Sequence, residues 1–226
     1  MSERLFGSDV IFQQRILRSA GLYTGRIDGI WGPLTDGAFN AFFDRAGEIA
    51  EELGTFDPRT EGNLTTLQLP AQRAARRFMA RVLDDGLDAR IISATRSYEE
   101  QNALFRQGRF GNPGPRVTNA RGGQSRHNFA IAWDIGLFEG GTYLQQAAPY
   151  DRAAEVGLDG GIEWGGHWQT FQDRPHYQLA VGLLISEVRE RFEAGEPYFG
   201  DGDPVADEDP GEPEPEPAAD PSEDDP

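Results

Sequence analysis

Two of the chain's three histidines stand where residue type and spacing could support metal chemistry. They are His127, in Ser125-Arg-His-Asn-Phe-Ala-Ile-Ala-Trp-Asp134, and His176, in Asp173-Arg-Pro-His176. On a straight helix His127 and Asp134 would lie about 10 Å apart along the axis, too far to share an ion. On one flat strand, positions seven apart point to opposite faces. A common target therefore requires a bend, for which Asn128 is suited, followed by a buried strand from Ala130 to Leu137 that carries Asp134 up beside the histidine. Pro175-His-Tyr-Gln-Leu reads as a second strand, with proline at its first residue where no ladder donor is needed. Two imidazoles and a carboxylate, with a fourth position left to water, form the donor set of catalytic zinc. Asp173, three residues before His176, is then free to act on that water as a general base.

Other residues compete for roles around this set. His167, in Glu163-Trp-Gly-Gly-His-Trp168, is the rival for the third metal position; the acid-x-x-His spacing favours His176 and leaves His167 near the substrate. Glu163 is the reserve candidate for the base. Arg96 follows a short strand, Ala89 to Thr95, and a fixed guanidinium there could hold a substrate carboxylate or a developing oxyanion.

Ser125-x-His127 with Ala132-x-Asp134, then Asp173-x-x-His176, resembles the zinc-binding pattern of the M15 peptidases. Val117 to His127 and Glu163 to Trp168 are similar to the L-alanyl-D-glutamate endopeptidase branch in particular. The likeness spans residues 68 to 192, and Ala130 stands where the pattern usually has Gly. It implies Zn2+ as cofactor, peptidoglycan as partner, Arg96 and Asp173 as catalytic residues, and Gln124, Ser125, Glu163, Trp164 and His167 as substrate contacts. D-alanyl-D-alanine carboxypeptidase activity and an inert wall-binding role are the alternatives.

The elements that must position these residues imply an α+β fold: an antiparallel sheet holding the metal site, flanking helices, and a small helical module in front. Residues 9 to 43 read as helix, Gly-rich loop, helix, with glycines at 21, 25, 29 and 32 and Ala38, Phe39, Phe42 and Phe43 facing inward. This unit resembles a peptidoglycan-binding domain, although Asp44 to Gly54 departs from it; docking on the enzyme is the alternative role. Residues 1–60 are thus assigned to the module and its linker, 61–198 to the peptidase domain and 199–226 to a tail. Phe56 to Asn63 carries linker signals. Pro70 to Leu83 reads as a helix with Leu83 inward and Arg73, Arg76, Arg77 and Arg81 on a solvated face. Ser97 to Glu100 forms a capping box, Gly108 to Gly123 is a loop walling the cleft, Ala147 to Val156 is a helix on the sheet, and a closing helix covers Ala180 to Phe192.

Composition narrows the function classes. Residues 201–226 hold twelve acids, seven prolines and no base, and without them the formal net charge moves from −17 to −5. Such a segment cannot bury enough apolar surface to order itself, and no basic stripe points to nucleic acid. Cysteine is absent, which rules out disulfides and thiolate metal ligands. Without a signal peptide or an apolar run long enough to span a bilayer, the expectation is a monomer made in the cytoplasm that reaches the wall by another route.

Overall fold

A computed structural model describes residues 7–199; the acidic tail lies outside the described residues. Its centre is β2 (Ala132–Glu139), buried along most of its length. β1 (Asp88–Ser93) pairs with one side of β2, β5 (His176–Leu179) with the other, and β4 (Ile162–Trp164) with β5; β3 (Thr142–Tyr143) pairs with the far end of β2. All pairings are antiparallel. The fold is α+β, as expected.

Strand alternation gives the sheet two different faces. Trp133, Tyr177 and Trp164 are register partners on adjacent strands, and their rings stack in sequence with centroids 6.3 and 6.4 Å apart. This ladder packs on α4 (Leu69–Asp84), where Phe78 lies 4.3 Å from the Tyr177 ring. The opposite face receives Asp134 and His176, which are also register partners.

The front helices share this core. α1 (Gly7–Ser19) and α2 (Pro33–Leu53) contribute Ile16, Leu17, Ala38 and Phe42 to the buried cluster that includes Phe78 and Trp133. The loop between them is pinned by buried Gln14, whose Oε1 accepts from the Asp28 and Gly29 amides. Only Gly21 and Gly29 of the four glycines have positive φ. A Cβ on Gly29 would meet the Gly7 carbonyl at 2.9 Å. Phe43 is 43% exposed, because α2 turns that side outward. Asp44 to Gly54 simply continues α2. No helix among the described residues is long and apolar enough to cross a membrane.

Three further expectations are corrected. The supposed linker forms α3 (Pro58–Leu64): Asp57 accepts from the Arg59 and Thr60 amides and Pro58 opens the helix, so Asp-Pro here is a helix start. A boundary at residue 60 would fall inside α3. This helix shields the edge strand β1, with Thr60 Oγ1 accepting from the Ile91 amide and Asn63 donating to the Ile91 carbonyl. Leu83 is 38% exposed at the end of α4, while Arg76 is fully buried. Arg76 donates to both carboxylate oxygens of Glu61 at 2.8 and 2.7 Å and to the Gly54 carbonyl. The closing helix α7 (Ile185–Ala194) starts after Gly182, whose left-handed backbone interrupts any helix from Ala180. The other helices, α5 (Tyr98–Arg106), whose capping box is present, and α6 (Ala147–Gly157), occupy the expected segments.

The Arg76 to Glu61 pair gives a stability prediction. Glu61→Ala leaves a buried guanidinium without its carboxylate and should lower stability by about 3 kcal/mol in urea unfolding. The double change Glu61→Leu with Arg76→Met should recover most of that loss. A Glu61→Ala midpoint equal to the parent's would mean that the pair contributes nothing.

Candidate metal centre

The bend between His127 and Asp134 is a 3₁₀ turn, Arg126–Phe129, ended by Ala130 in left-handed conformation (φ 57°, ψ 33°). The chain therefore reverses at Ala130, two residues after Asn128. Asn128 holds the turn in place: its Oδ1 accepts from the Gly123 amide and its Nδ2 donates to the Arg96 carbonyl. A left-handed alanine costs about 1 kcal/mol, which accounts for the glycine expected at this position.

The turn brings His127 onto the Asp134 and His176 face of the sheet. One donor atom from each of the three residues lies within 4.8 Å of the others. His127 Nε2 is 3.1 Å from Asp134 Oδ1 and 3.1 Å from His176 Nδ1, and His176 Nδ1 is 3.2 Å from Asp134 Oδ1. Neighbouring ligands of a tetrahedral ion with bonds of ~2.0–2.1 Å stand about 3.3 Å apart, so the spacing fits a small cation. The remaining imidazole nitrogens face acceptors, His127 Nδ1 the Ala94 carbonyl at 2.5 Å and His176 Nε2 the Gln178 Oε1 at 3.0 Å. Each therefore carries a proton outward, and the inner nitrogens point lone pairs at one another and at a carboxylate. Such an arrangement needs positive charge between its members, and the trio is able to bind a metal.

Charge preferences in the cluster agree with this. Burial pushes His127 down to about 4 despite the Asp134 charge. His176 moves the other way: burial opposes its charged form, but the hydrogen bond and charge of Asp134 raise it. Burial alone would raise Asp134, yet the charges and hydrogen bonds of His127 and His176 hold it well below the usual carboxylate range.

The other expected site residues fall into two groups. Asp173 is half-buried beside the cluster, electrostatically coupled to His176, Asp134 and Arg96, and desolvation raises its pKa. Its amide donates to the Gly165 carbonyl and its own carbonyl accepts from the His176 amide. Gly165 is required for that approach, since a Cβ would lie 2.5 Å from the Asp173 carbonyl oxygen; Gly166 is likewise packed against the Trp164 ring, so neither supplies flexibility. Arg96 also joins the cluster, but its guanidinium serves the chain: Nη2 donates to Asp134 Oδ2 at 2.7 Å, Nη1 to Gln101 and Nε to Ser93.

Outside the cluster, His167 is exposed, edge-on to Trp164, and is not one of the three gathered donors. Trp164 belongs to the sheet's aromatic ladder, its Nε1 donating to the Arg174 carbonyl. Gln124 uses its side chain in a local turn, accepting from the Arg121 amide, and Ser125 is buried ahead of the 3₁₀ turn. Glu163 accepts from Gln178 Nε2. Sequence reasoning missed Gln178, although its position two residues after His176 on a strand puts both on one face. It also missed Trp168, whose ring tilts over His176 at 4.9 Å.

Two histidines and an aspartate gathered on an antiparallel sheet, with a further carboxylate beside them, form a donor set that could hold a metal ion. Residues 118–179 match a family model of M15 peptidases described as D-alanyl-D-alanine carboxypeptidase. The peptidoglycan L-alanyl-D-glutamate endopeptidase CwlK of Bacillus subtilis is 34% identical over 110 residues; that stretch covers 44% of this chain and 65% of the relative, so the chain spans just under two thirds of that protein. The L-Ala D-Glu endopeptidase ChiX of Serratia marcescens is 28% identical, with a TM-score of 0.41, 55% of this chain and 89% of that one being covered. The segment that carries His127, Asp134 and His176 is thus similar to M15 peptidases.

Ala130 supplies a direct test of the turn. Ala130→Gly should raise the stability of the metal-free protein by up to about 1 kcal/mol by removing the left-handed penalty, whereas β-branched Ala130→Val should lower it. A drop for Ala130→Gly in thermal unfolding would show that the methyl group's packing outweighs the backbone cost.

Proposed function

We propose that the chain is a zinc-dependent peptidoglycan peptidase that cleaves the L-Ala-D-Glu bond of the stem peptide, acting on the wall after leaving the cytoplasm. The observation that carries this reading is the His127, Asp134 and His176 cluster with Asp173 beside it, in a chain similar over 110 residues to an L-alanyl-D-glutamate endopeptidase. His127 through Nε2, His176 through Nδ1 and Asp134 through Oδ1 would hold the ion. When bound, Zn2+ supplies Lewis-acid polarisation of a carbonyl and activation of water near neutral pH. The Asp173 carboxylate takes the proton of the attacking water and returns it to the leaving amine; its burial favours holding that proton between the two transfers. Arg96 acts through Asp134, steadying the ligand carboxylate.

Mass spectrometry of muropeptides from intact sacculi tests the specificity, with fragments parted between L-Ala and D-Glu as the expected products. Release of terminal D-alanine alone would favour the carboxypeptidase described by the family model. Zinc binding without any cleavage would favour an inert wall-binding role. Asp173→Asn should keep its zinc and lose roughly 10²- to 10⁴-fold in turnover. Near-parental turnover with zinc bound would remove Asp173 from the mechanism.

The front helices are proposed to face the polymer. Trp31, Phe39 and Phe43 line a cleft of about 820 Å³ shared with Thr95, Ser97 and Tyr98, residues adjoining Arg96. On this reading Trp31→Ala weakens pelleting with sacculi and spares turnover of a small soluble muropeptide; equal effects on both would make the helices a purely structural part of the enzyme.

A further inference from the structure

Gln178 is 4% exposed and its side chain lies between two groups of opposite demand. On one side Gln178 Nε2 donates to Glu163 Oε2, and on the other Gln178 Oε1 faces His176 Nε2 at 3.0 Å. The contacts follow from the sheet, because Glu163 and Gln178 are register partners on β4 and β5 and His176 is two residues back on the same face. An ionised carboxylate can only accept hydrogen bonds. Glu163 therefore turns the amide's NH₂ towards itself and leaves the amide oxygen for His176. An acceptor there fixes the proton on Nε2 and frees the Nδ1 lone pair for the cluster. Were the amide reversed, its NH₂ would meet Nε2, the imidazole proton would move to Nδ1, and the nitrogen that faces His127 and Asp134 could not act as a ligand. Arg126, in the turn that carries His127, lies close enough to couple electrostatically with Glu163, whose charge partly offsets the cost of burying the guanidinium. Its Nη2 is fixed on the Leu183 carbonyl, and its buried Nη1 has no hydrogen-bond partner.

We propose that Glu163 and Gln178 are a positioning pair: the carboxylate sets the orientation of the amide, and the amide sets which nitrogen His176 presents to the cation. This assigns Glu163 a role other than base or substrate contact. It rests on the reading of the cluster as a zinc site, and outer partners of this kind change metal affinity by about 10- to 100-fold when removed.

The test is zinc affinity, measured by chelator competition on the full chain, together with ¹⁵N NMR of the histidine ring nitrogens in the metal-free protein. Glu163→Ala and Gln178→Leu should each weaken zinc binding by about 10- to 100-fold and shift the His176 signal towards the Nδ1-protonated tautomer. Glu163→Gln retains an oxygen that can accept from Gln178, so its affinity should lie nearer the parent's than that of Glu163→Ala. Parental affinity and an unchanged tautomer in both Glu163→Ala and Gln178→Leu would overturn the inference. So would a Glu163→Gln protein that binds zinc like the parent but loses turnover by two orders of magnitude or more, since that is the behaviour of a base. If the parent itself binds no zinc, the underlying reading of the cluster fails; if parent and variants bind alike, only the positioning pair does.

Discussion

The site depends first on strand register. A side-chain period of two means that slipping β2 against β5 by one residue would turn every residue to the other face. Trp133, Tyr177 and Trp164 resist that slip, because their stacked rings are matched to the apolar surface of α4 and would otherwise meet the site side. Asp134 and His176 are the immediate neighbours of two of these aromatics, so the packing that orders the core also sets the two donors side by side. Polar geometry on one face is thereby fixed by apolar packing on the other. The arrangement costs the site residues little beyond their own burial.

Burial of the donors is the second constraint. His127 and His176 are almost fully enclosed, and Asp134 is reached by three cationic or potentially cationic side chains. A carboxylate removed from water needs compensating charge and hydrogen bonds. Arg96 meets one oxygen and the histidines meet the other, which divides Asp134 between support and ligation. Asp134 shifts the two histidines unequally: burial prevails at His127, whereas the hydrogen bond and charge of Asp134 prevail at His176. Metal binding and proton release are consequently linked at this centre.

Much of this was legible from residue types and spacing. His127, Asp134 and His176 announced themselves because a bend followed by alternating strands is the simplest way to bring positions seven apart onto one face. The supporting groups were less visible. Gln178 was open to inference from its place two residues after His176, but its Glu163 partner on β4 and the Ala94 carbonyl that meets His127 are set by tertiary structure, which a single sequence does not display. Asp57-Pro58 was open to two readings because turns and helix starts use the same residues; tertiary contact with β1 decides for the helix. Arg76 looked solvated because arginine seldom buries fully, and only the folded chain brings Glu61 and the Gly54 carbonyl to it. Strand alternation also sends Trp164 into the core, while His167 stays outside the gathered donors, in line with the preference for His176 as the third ligand.

The front helices reach the metal turn through one buried residue. Gln68 donates its amide hydrogen to the Ala130 carbonyl, and its side-chain nitrogen donates to the Ile16 carbonyl of α1 and to Tyr198 Oη. Tyr198 in turn donates to the Phe129 carbonyl, so the strained end of the 3₁₀ turn is held from two directions. Each of these polar groups is shielded from water, where an unmade hydrogen bond costs about 1–3 kcal/mol. Losing α1 would strip Gln68 of one partner and loosen its hold beside Ala130, a residue that already needs its surroundings to keep it left-handed. The helices before the sheet are therefore part of what shapes the metal turn, whatever surface they also offer to a polymer.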